Sequence, residues 1–221
     1  MGRSGLIDVE ERIAAAAAGA GRAGPITLVV VAKYASDSEL ESVIAEGARN
    51  VGESRADSLV SRASRFGEVS WHFVGHLQGN KVRSVRDSVH LLHSMDRIEL
   101  AAYWSKSEEH PPPVLVQVNL AAESQKGGVT PDGVLPMIDA CVTAGVEVRG
   151  LMTVPPRSVN GADSARWFSE LRELRDTVAL DHPSVRQLSM GMTEDFPIAV
   201  AEGATILRVG RAIFDPFRKE G

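Results

Sequence analysis

The chain has 221 residues, 43% of them hydrophobic and 24% charged, which is the composition of a folded domain and not of a disordered or fibrous chain. Its net charge is -5 with both signs interspersed, so no basic block points to nucleic acid and no acidic tail to a solvated arm. The single cysteine, Cys141, excludes an intrachain disulfide framework and fits a reducing compartment; within LPMIDACVTAG it reads as a small buried apolar residue.

The first element is an Ala-rich helix over 6–18, stopped by Gly19 and Gly21, inside a lead-in covering 1–24. Its AAAAAGA run follows Asp8, Glu10 and Glu11, where a secretion signal would be basic. Met1-Gly2 is followed by Leu6 where a myristoylation motif needs Ser or Thr. No run approaches the roughly 18 apolar residues that span a bilayer. A cytoplasmic protein without a membrane partner is expected.

Short β-rich runs then recur at 28–32, 71–74, 89–92, 114–118, 146–151 and 206–209, with weaker candidates at 48–53 and 185–190. Helix-period segments lie between them. DSELESVIAEGA begins on an N-cap-like Asp37 or Ser38, and ADSARWFSELRELRDTVA places Trp167, Phe168, Leu171, Leu174 and Val178 along one face. AEGARNVG, TAGVEVRG and AEGATILRVG each read as helix, Gly stop, strand. Three copies of one joint argue for repeated β/α units around a parallel sheet. EEHPPP at 108–113 reads as a loop entering a strand. Eight strands with intervening helices predict a single-domain (β/α)8 barrel over 1–221, at the short end of that fold's range. An open doubly wound sheet is the alternative, but no glycine-rich phosphate loop follows the first strand.

A barrel places its chemistry where strands end. Lys33 closes the first apolar run. A lysine that buries its ammonium becomes a better amine, suited to an aldehyde; otherwise it snorkels to solvent. LSMGM and LRVGRA follow the seventh and eighth strands, where barrels often hold phosphate on loop amides and a helix N-terminus. Gly191 and Gly210 permit close backbone approach or serve only as turns; Ser189 or Thr193 adds a hydroxyl, and Arg211 opens the last helix. An amine and a phosphate site together suggest pyridoxal 5'-phosphate (PLP).

The runs VAKYASDSELESVIAEGARNVGES, WHFVGHLQGNKVR, HSMDR, VLVQVNLAAESQKGGV, VRGLMTVPP and LSMGMTEDFPIAVAEGATILRVGRAIF, spanning 28–214 in order, closely resemble the pyridoxal-phosphate homeostasis protein family. The resemblance implies a single barrel of the alanine racemase N-terminal domain type, without the second domain that completes racemase and decarboxylase sites. It implies PLP held as a Schiff base on Lys33, Arg208 facing the pyridine nitrogen, and Ser189, Met190, Gly191, Gly210 and Arg211 in the runs that hold the phosphate. Ser54, Met152, His76 and Asn80 match pocket walls and rim, and Lys126 matches a second lysine thought to influence cofactor exchange. An arginine, being always protonated, leaves the ring nitrogen without a proton and the ring a poorer electron sink; alternatively Arg208 is a strand-end cation paired with a carboxylate. The sequence departs from the family where Ser54 replaces the usual Asn, AKYA replaces an SKTK-like run, Pro197 enters the following helix, and Phe214-Asp215 replaces Phe-Gly.

The expected function is a monomeric carrier that holds PLP reversibly and releases it to PLP-dependent apo-enzymes, without robust catalysis of its own. A PLP-dependent racemase or decarboxylase is the alternative; it needs a second acid or base across the ring, for which Tyr34 and Cys141 are poor candidates. A metal-dependent hydrolase built on His72, His76, His90 and His93 is disfavoured by spacing. His72 and His76 are about 13 Å apart along an extended chain, and His90 and His93 point to opposite faces of a strand.

Overall fold

The structure is a computed structural model describing residues 4–106, 110–123, 125–156 and 161–219. Met1-Gly2, Glu108-Glu109 of EEHPPP and Ser124 of the SQKGG loop lie outside the described residues. Short runs of Val, Leu and Ile extend because branched side chains pack well on a pleated surface. They form β1 (Thr27–Val31), β2 (Asn50–Glu53), β3 (Ser70–Phe73), β4 (Leu91–Met95), β5 (Val114–Val118), β6 (Val148–Thr153), β7 (Gln187–Ser189) and β8 (Ile206–Val209). Each strand pairs in parallel with the next and β8 returns to β1, closing the barrel in sequence order. The doubly wound alternative is thereby excluded.

Around the barrel run α1 (Leu6–Gly19), α2 (Asp37–Ala45), α3 (Ala56–Arg65), α4 (Val82–Arg86), α5 (Ile98–Trp104), α6 (Val134–Thr143), α7 (Gly161–Val178), α8 (Phe196–Ala201) and α9 (Arg211–Lys219). The three repeated helix-to-strand joints turn on Gly47, Gly145 and Gly203, with φ of 123°, 75° and 100°, a region open to glycine at little steric cost. The cap of α2 is neither Asp37 nor Ser38 but Ser36. Its hydroxyl accepts the Glu39 N–H at 3.3 Å while the Glu39 carboxylate accepts the Ser36 N–H at 2.6 Å, a reciprocal capping box that fixes where the chain leaves β1. On α7, Phe168, Leu171 and Val178 are buried as the helical period requires, while Trp167 is half-buried with the Arg166 guanidinium 5.0 Å from its ring centroid.

β2, β4, β6 and β7 each begin two residues later than their sequence windows suggested. β4 starts at Leu91, so His93, Ser94 and Met95 lie within it; β6 ends at Thr153, so Met152 and Thr153 do too. Strand alternation sorts the side chains. Val30, Val51, Leu92, Val116, Leu151, Leu188 and Leu207 face the helices in the main core, while Val29, Leu91, Leu115, Met152 and Ile206 form a small apolar cluster inside the barrel. The same inward parity carries His72, His93, Ser189 and Arg208, all buried. The barrel interior is therefore partly polar, and its polar side leads to the C-terminal rim.

Candidate functional site at the C-terminal rim

A cavity of about 800 Å³ opens at the strand C-termini, and the loops after β1, β2, β6, β7 and β8 build its wall. Lys33 lines it immediately beyond β1. Its ammonium is exposed and lies 4.8 Å from the Tyr34 ring centroid, while Tyr34 is 72% exposed at the mouth. Ser54 lines the wall next to Lys33, and Thr193, Gly210 and Arg211 close the other side. Arg211 opens α9, so the positive end of that helix's dipole lies at the same wall. The Ala212 N–H reaches the Thr193 hydroxyl at 3.4 Å, and the Arg211 guanidinium donates to Glu194 at 2.7 Å.

Arg208 lines the same cavity from inside the barrel, 5% exposed. One terminal nitrogen donates to the Ser189 hydroxyl at 2.6 Å and the other to the Thr153 carbonyl at 2.8 Å. Burial lowers its pKa to about 10, with Asp195 pulling it back up, so it stays cationic at neutral pH. Asp195 lines the cavity as well; burial raises its carboxyl above the usual range, against the opposing Met192 N–H at 2.6 Å. Among the described residues no carboxylate comes within ion-pair distance of Arg208. The reading of Arg208 as a cation paired at a strand end fails on that geometry.

Ser189 is fully buried and is not a wall residue. Its hydroxyl is engaged by Arg208 and by His93 Nδ1 at 2.9 Å. His93 Nε2 then meets His72 Nδ1 at 2.9 Å, and His72 Nε2 meets Asn50 Oδ1 at 3.1 Å. Burial holds the His72 pKa down to about 3, with help from His90, and holds His93 well below its ordinary value, with help from His72 and Arg208. Met152 sits in the apolar cluster inside the barrel and Met190 in the main core. Gly191 has φ 90°, and a Cβ there would stand 2.5 Å from the Ala199 Cβ, so its small size also lets α8 pack closely. At Gly210 a Cβ would stand 2.7 Å from the Val31 carbonyl oxygen, so bare backbone lets α9 start against β1.

His76 and Asn80 are exposed and lie outside this cavity wall; His76 Nδ1 meets Asp96 at 3.0 Å. Lys126 pairs with Glu123 at 2.5 Å and reaches the carbonyl of Val154, a wall residue, at 3.4 Å. Cys141 is buried on α6, and burial pushes its thiol up to about 12. Of the four histidines considered for a metal, His72 and His93 do meet, across β3 and β4, whereas His76 stands apart on Asp96. Among the described residues no three His, Cys, Asp or Glu side chains gather as a metal site.

One group was missed in the sequence. Arg62 of α3 donates to the Ala32 carbonyl at 2.8 Å and the Ala35 carbonyl at 2.5 Å, on either side of Lys33 and Tyr34. The same guanidinium donates to Asp37 at 3.0 Å and to the fully buried Glu53 carboxylate at 3.1 Å. Glu53 also accepts the Ser54 N–H at 2.7 Å. One side chain thus ties together the loops carrying Lys33 and Ser54. The only hint of it in the sequence was a carboxylate, Glu53, inside a β run.

Comparison with known proteins places this arrangement. Residues 9–215 match the family model of the alanine racemase N-terminal domain. A pyridoxal phosphate homeostasis protein of Mycobacterium leprae is 36% identical over 238 residues, covering 96% of this chain and 91% of the relative. The chain belongs to the pyridoxal phosphate homeostasis protein family. The barrel is also similar to PipY of Synechococcus elongatus, 28% identical, in two structures. The TM-score is 0.81 without PLP, covering 92% of this chain and 98% of PipY, and 0.76 with PLP bound, covering 91% and 99%. The donor set here suits that family's ligand: a primary amine for the aldehyde, a guanidinium free of any bonded carboxylate for the ring nitrogen, and a helix start with Arg211 and Thr193 for the phosphate.

Proposed function

We propose that this protein binds PLP in the rim cavity, holds it reversibly as a Schiff base on Lys33, and releases it to other enzymes. The observation that carries the reading is the placement of Lys33 and the buried Arg208 in the wall of one cavity, beside the α9 N-terminus. When bound, PLP brings an aldehyde and an electron-accepting ring. The chain's own residues do the rest. Lys33 presents the amine, Arg211 and Thr193 at the start of α9 bind the phosphate, and Arg208 donates an N–H toward the ring nitrogen. A guanidinium that stays cationic keeps a proton off that nitrogen, which favours holding the cofactor over using it.

Two further observations support a carrier over a racemase or decarboxylase. Tyr34 is 72% exposed at the mouth, and Cys141 sits on the helical layer with its thiol pushed up to about 12. Neither is poised as an acid or base across a bound ring. The opening through which Lys33 and Tyr34 reach solvent also suits exchange of the cofactor. The test is a PLP titration followed by visible absorption, with Lys33→Ala alongside. A saturable imine band in the wild type that is absent in Lys33→Ala is expected. Absence of the band in both, or its survival in Lys33→Ala, refutes the site, and turnover of amino acids by the loaded protein refutes the carrier role.

A further inference from the structure

The side chains of Arg208, Ser189, His93, His72 and Asn50 form a continuous hydrogen-bonded row through the barrel, from the cavity to the start of β2. The links are 2.6, 2.9, 2.9 and 3.1 Å. The row's direction follows from chemistry alone. Arginine only donates, so Ser189 Oγ accepts from it. Ser189 is fully buried and, among the described residues, its hydroxyl has two hydrogen-bonding neighbours, Arg208 and His93. Its hydrogen must therefore go to His93 Nδ1, since any other choice leaves a buried O–H without an acceptor. His93 then carries its proton on Nε2 and donates to His72 Nδ1. His72 in turn carries its proton on Nε2 and donates to Asn50 Oδ1, where the row ends on an acceptor. The reverse order would give Ser189 two donors and no outlet.

We infer that Ser189, His93, His72 and Asn50 are positioning residues: a one-way hydrogen-bond row that aims the Arg208 guanidinium into the cavity. This rests on the PLP reading for its purpose, but not for its structure. The two imidazoles are neutral, each with its proton on Nε2, as expected of rings whose burial disfavours charge. A neutral row matters because a carboxylate in the place of Ser189 would hold Arg208 equally well while cancelling its charge. Here the acceptors, Ser189 and the Thr153 carbonyl, are both uncharged. With Asp195 acting on it only at a distance, the guanidinium keeps its positive charge toward the cavity.

The first test needs no cofactor. Nitrogen–proton correlation spectra of the histidine side chains in the PLP-free protein, assigned with His72→Gln and His93→Asn, read the tautomers directly. Both rings as Nε2–H, unchanged from pH 5 to pH 9, are expected. Either ring as Nδ1–H, or either titrating in that range, overturns the row. The second test reads purpose. His93→Leu removes the acceptor for Ser189, whereas His93→Asn keeps an amide oxygen near the position of Nδ1. We expect His93→Leu to weaken PLP binding roughly 10-fold and to move the absorption maximum of the bound cofactor. His93→Asn should restore most of both. Equal losses in the two variants, or an unmoved maximum in His93→Leu, overturn the positioning role. A wild type that binds no PLP while its histidines show the expected tautomers sinks the function proposed above and leaves the row standing.

Discussion

Arg62 is the side chain on which the position of Lys33 depends most directly, and removing it makes a quantitative test. The Arg62→Met change keeps the aliphatic stem and deletes a guanidinium whose side chain is 14% exposed. It strands the Glu53 carboxylate, 0% exposed, with only the amides of Ser54 and Arg55 at 2.7 and 3.4 Å. It also releases the Ala32 and Ala35 carbonyls. Breaking a buried pair by removing one partner costs about 3–5 kcal/mol. For a chain of this size each kcal/mol moves the melting midpoint by roughly 2–4 °C, so a drop of roughly 6–20 °C is expected. Arg65 supplies the control. It reaches the same Asp37 at 2.7 Å, but from solvent, with exposures of 54% and 43%. Arg65→Met should cost under about 1 kcal/mol. The assay is thermal unfolding by circular dichroism on both variants and on Arg62→Met combined with Glu53→Gln. The double variant should regain part of the loss, because no charge is then left uncompensated in the core. Equal midpoints for Arg62→Met and Arg65→Met would refute the clamp, as would a double variant no better than the single one.

Two other outcomes follow from the same geometry. Gly210→Ala would put a methyl 2.7 Å from the Val31 carbonyl oxygen and push α9 off β1; a loss of roughly 1–3 kcal/mol in urea unfolding and weaker PLP binding are expected, and an unchanged midpoint would refute the close packing. Stability should also fall with acid: the His72 pKa is about 3 in the folded chain against 6.5 for a free ring, so below 6.5 the unfolded chain takes up a proton that the folded chain refuses. By pH 5 that is about 2 kcal/mol from His72 alone, with His93 acting in the same direction and the raised Asp195 opposing it. Denaturant unfolding at pH 7.5 and pH 5 checks this, and equal stabilities would refute the buried neutral pair.

The parts of the fold that could be read along the chain were those set by local chemistry. β5 and β8 begin and end where their Val, Leu and Ile runs do, and Gly47, Gly145 and Gly203 mark the turns into the following strands because only a residue at ease with positive φ serves there. Lys33, Ser54, Thr193, Gly210 and Arg211 could be placed at one rim because each follows a strand in a parallel barrel. β4 and β6 both begin two residues later than their windows, and end three and two residues later, since pairing with neighbouring strands overrides the β-propensity of Val89 and Val146. That shift hid the interior row. His72 lies beside Leu91 in register, so His93, two residues on, shares its inward face on the neighbouring strand. A histidine four residues from another in sequence invites comparison, but one 21 residues away is found only once the register is known. Arg62 was hidden for a similar reason, because two of its four partners are carbonyls from another β/α unit, which leave no mark in a sequence, and its carboxylates Asp37 and Glu53 lie 25 and 9 residues away.

Arg208 draws these observations into one energetic argument. A guanidinium 5% exposed, bonded only to a hydroxyl and a carbonyl, is an expensive thing to fold around. Burial lowers its pKa to about 10 even with Asp195 pulling it up, as expected where the barrel solvates the charge poorly. A barrel selected for stability alone would fill this position with Leu or Ile, as it does with Val29, Leu115 and Ile206 in the same interior. It would also have no use for two neutral histidines that resist protonation. The polar row makes sense as a structure that holds a cation with no directly bonded carboxylate, and only Asp195 nearby, at a cavity. On the function proposed above, an acceptor atom at the cavity floor adds a bond to that guanidinium, so part of the folding free energy forgone in burying it returns as affinity.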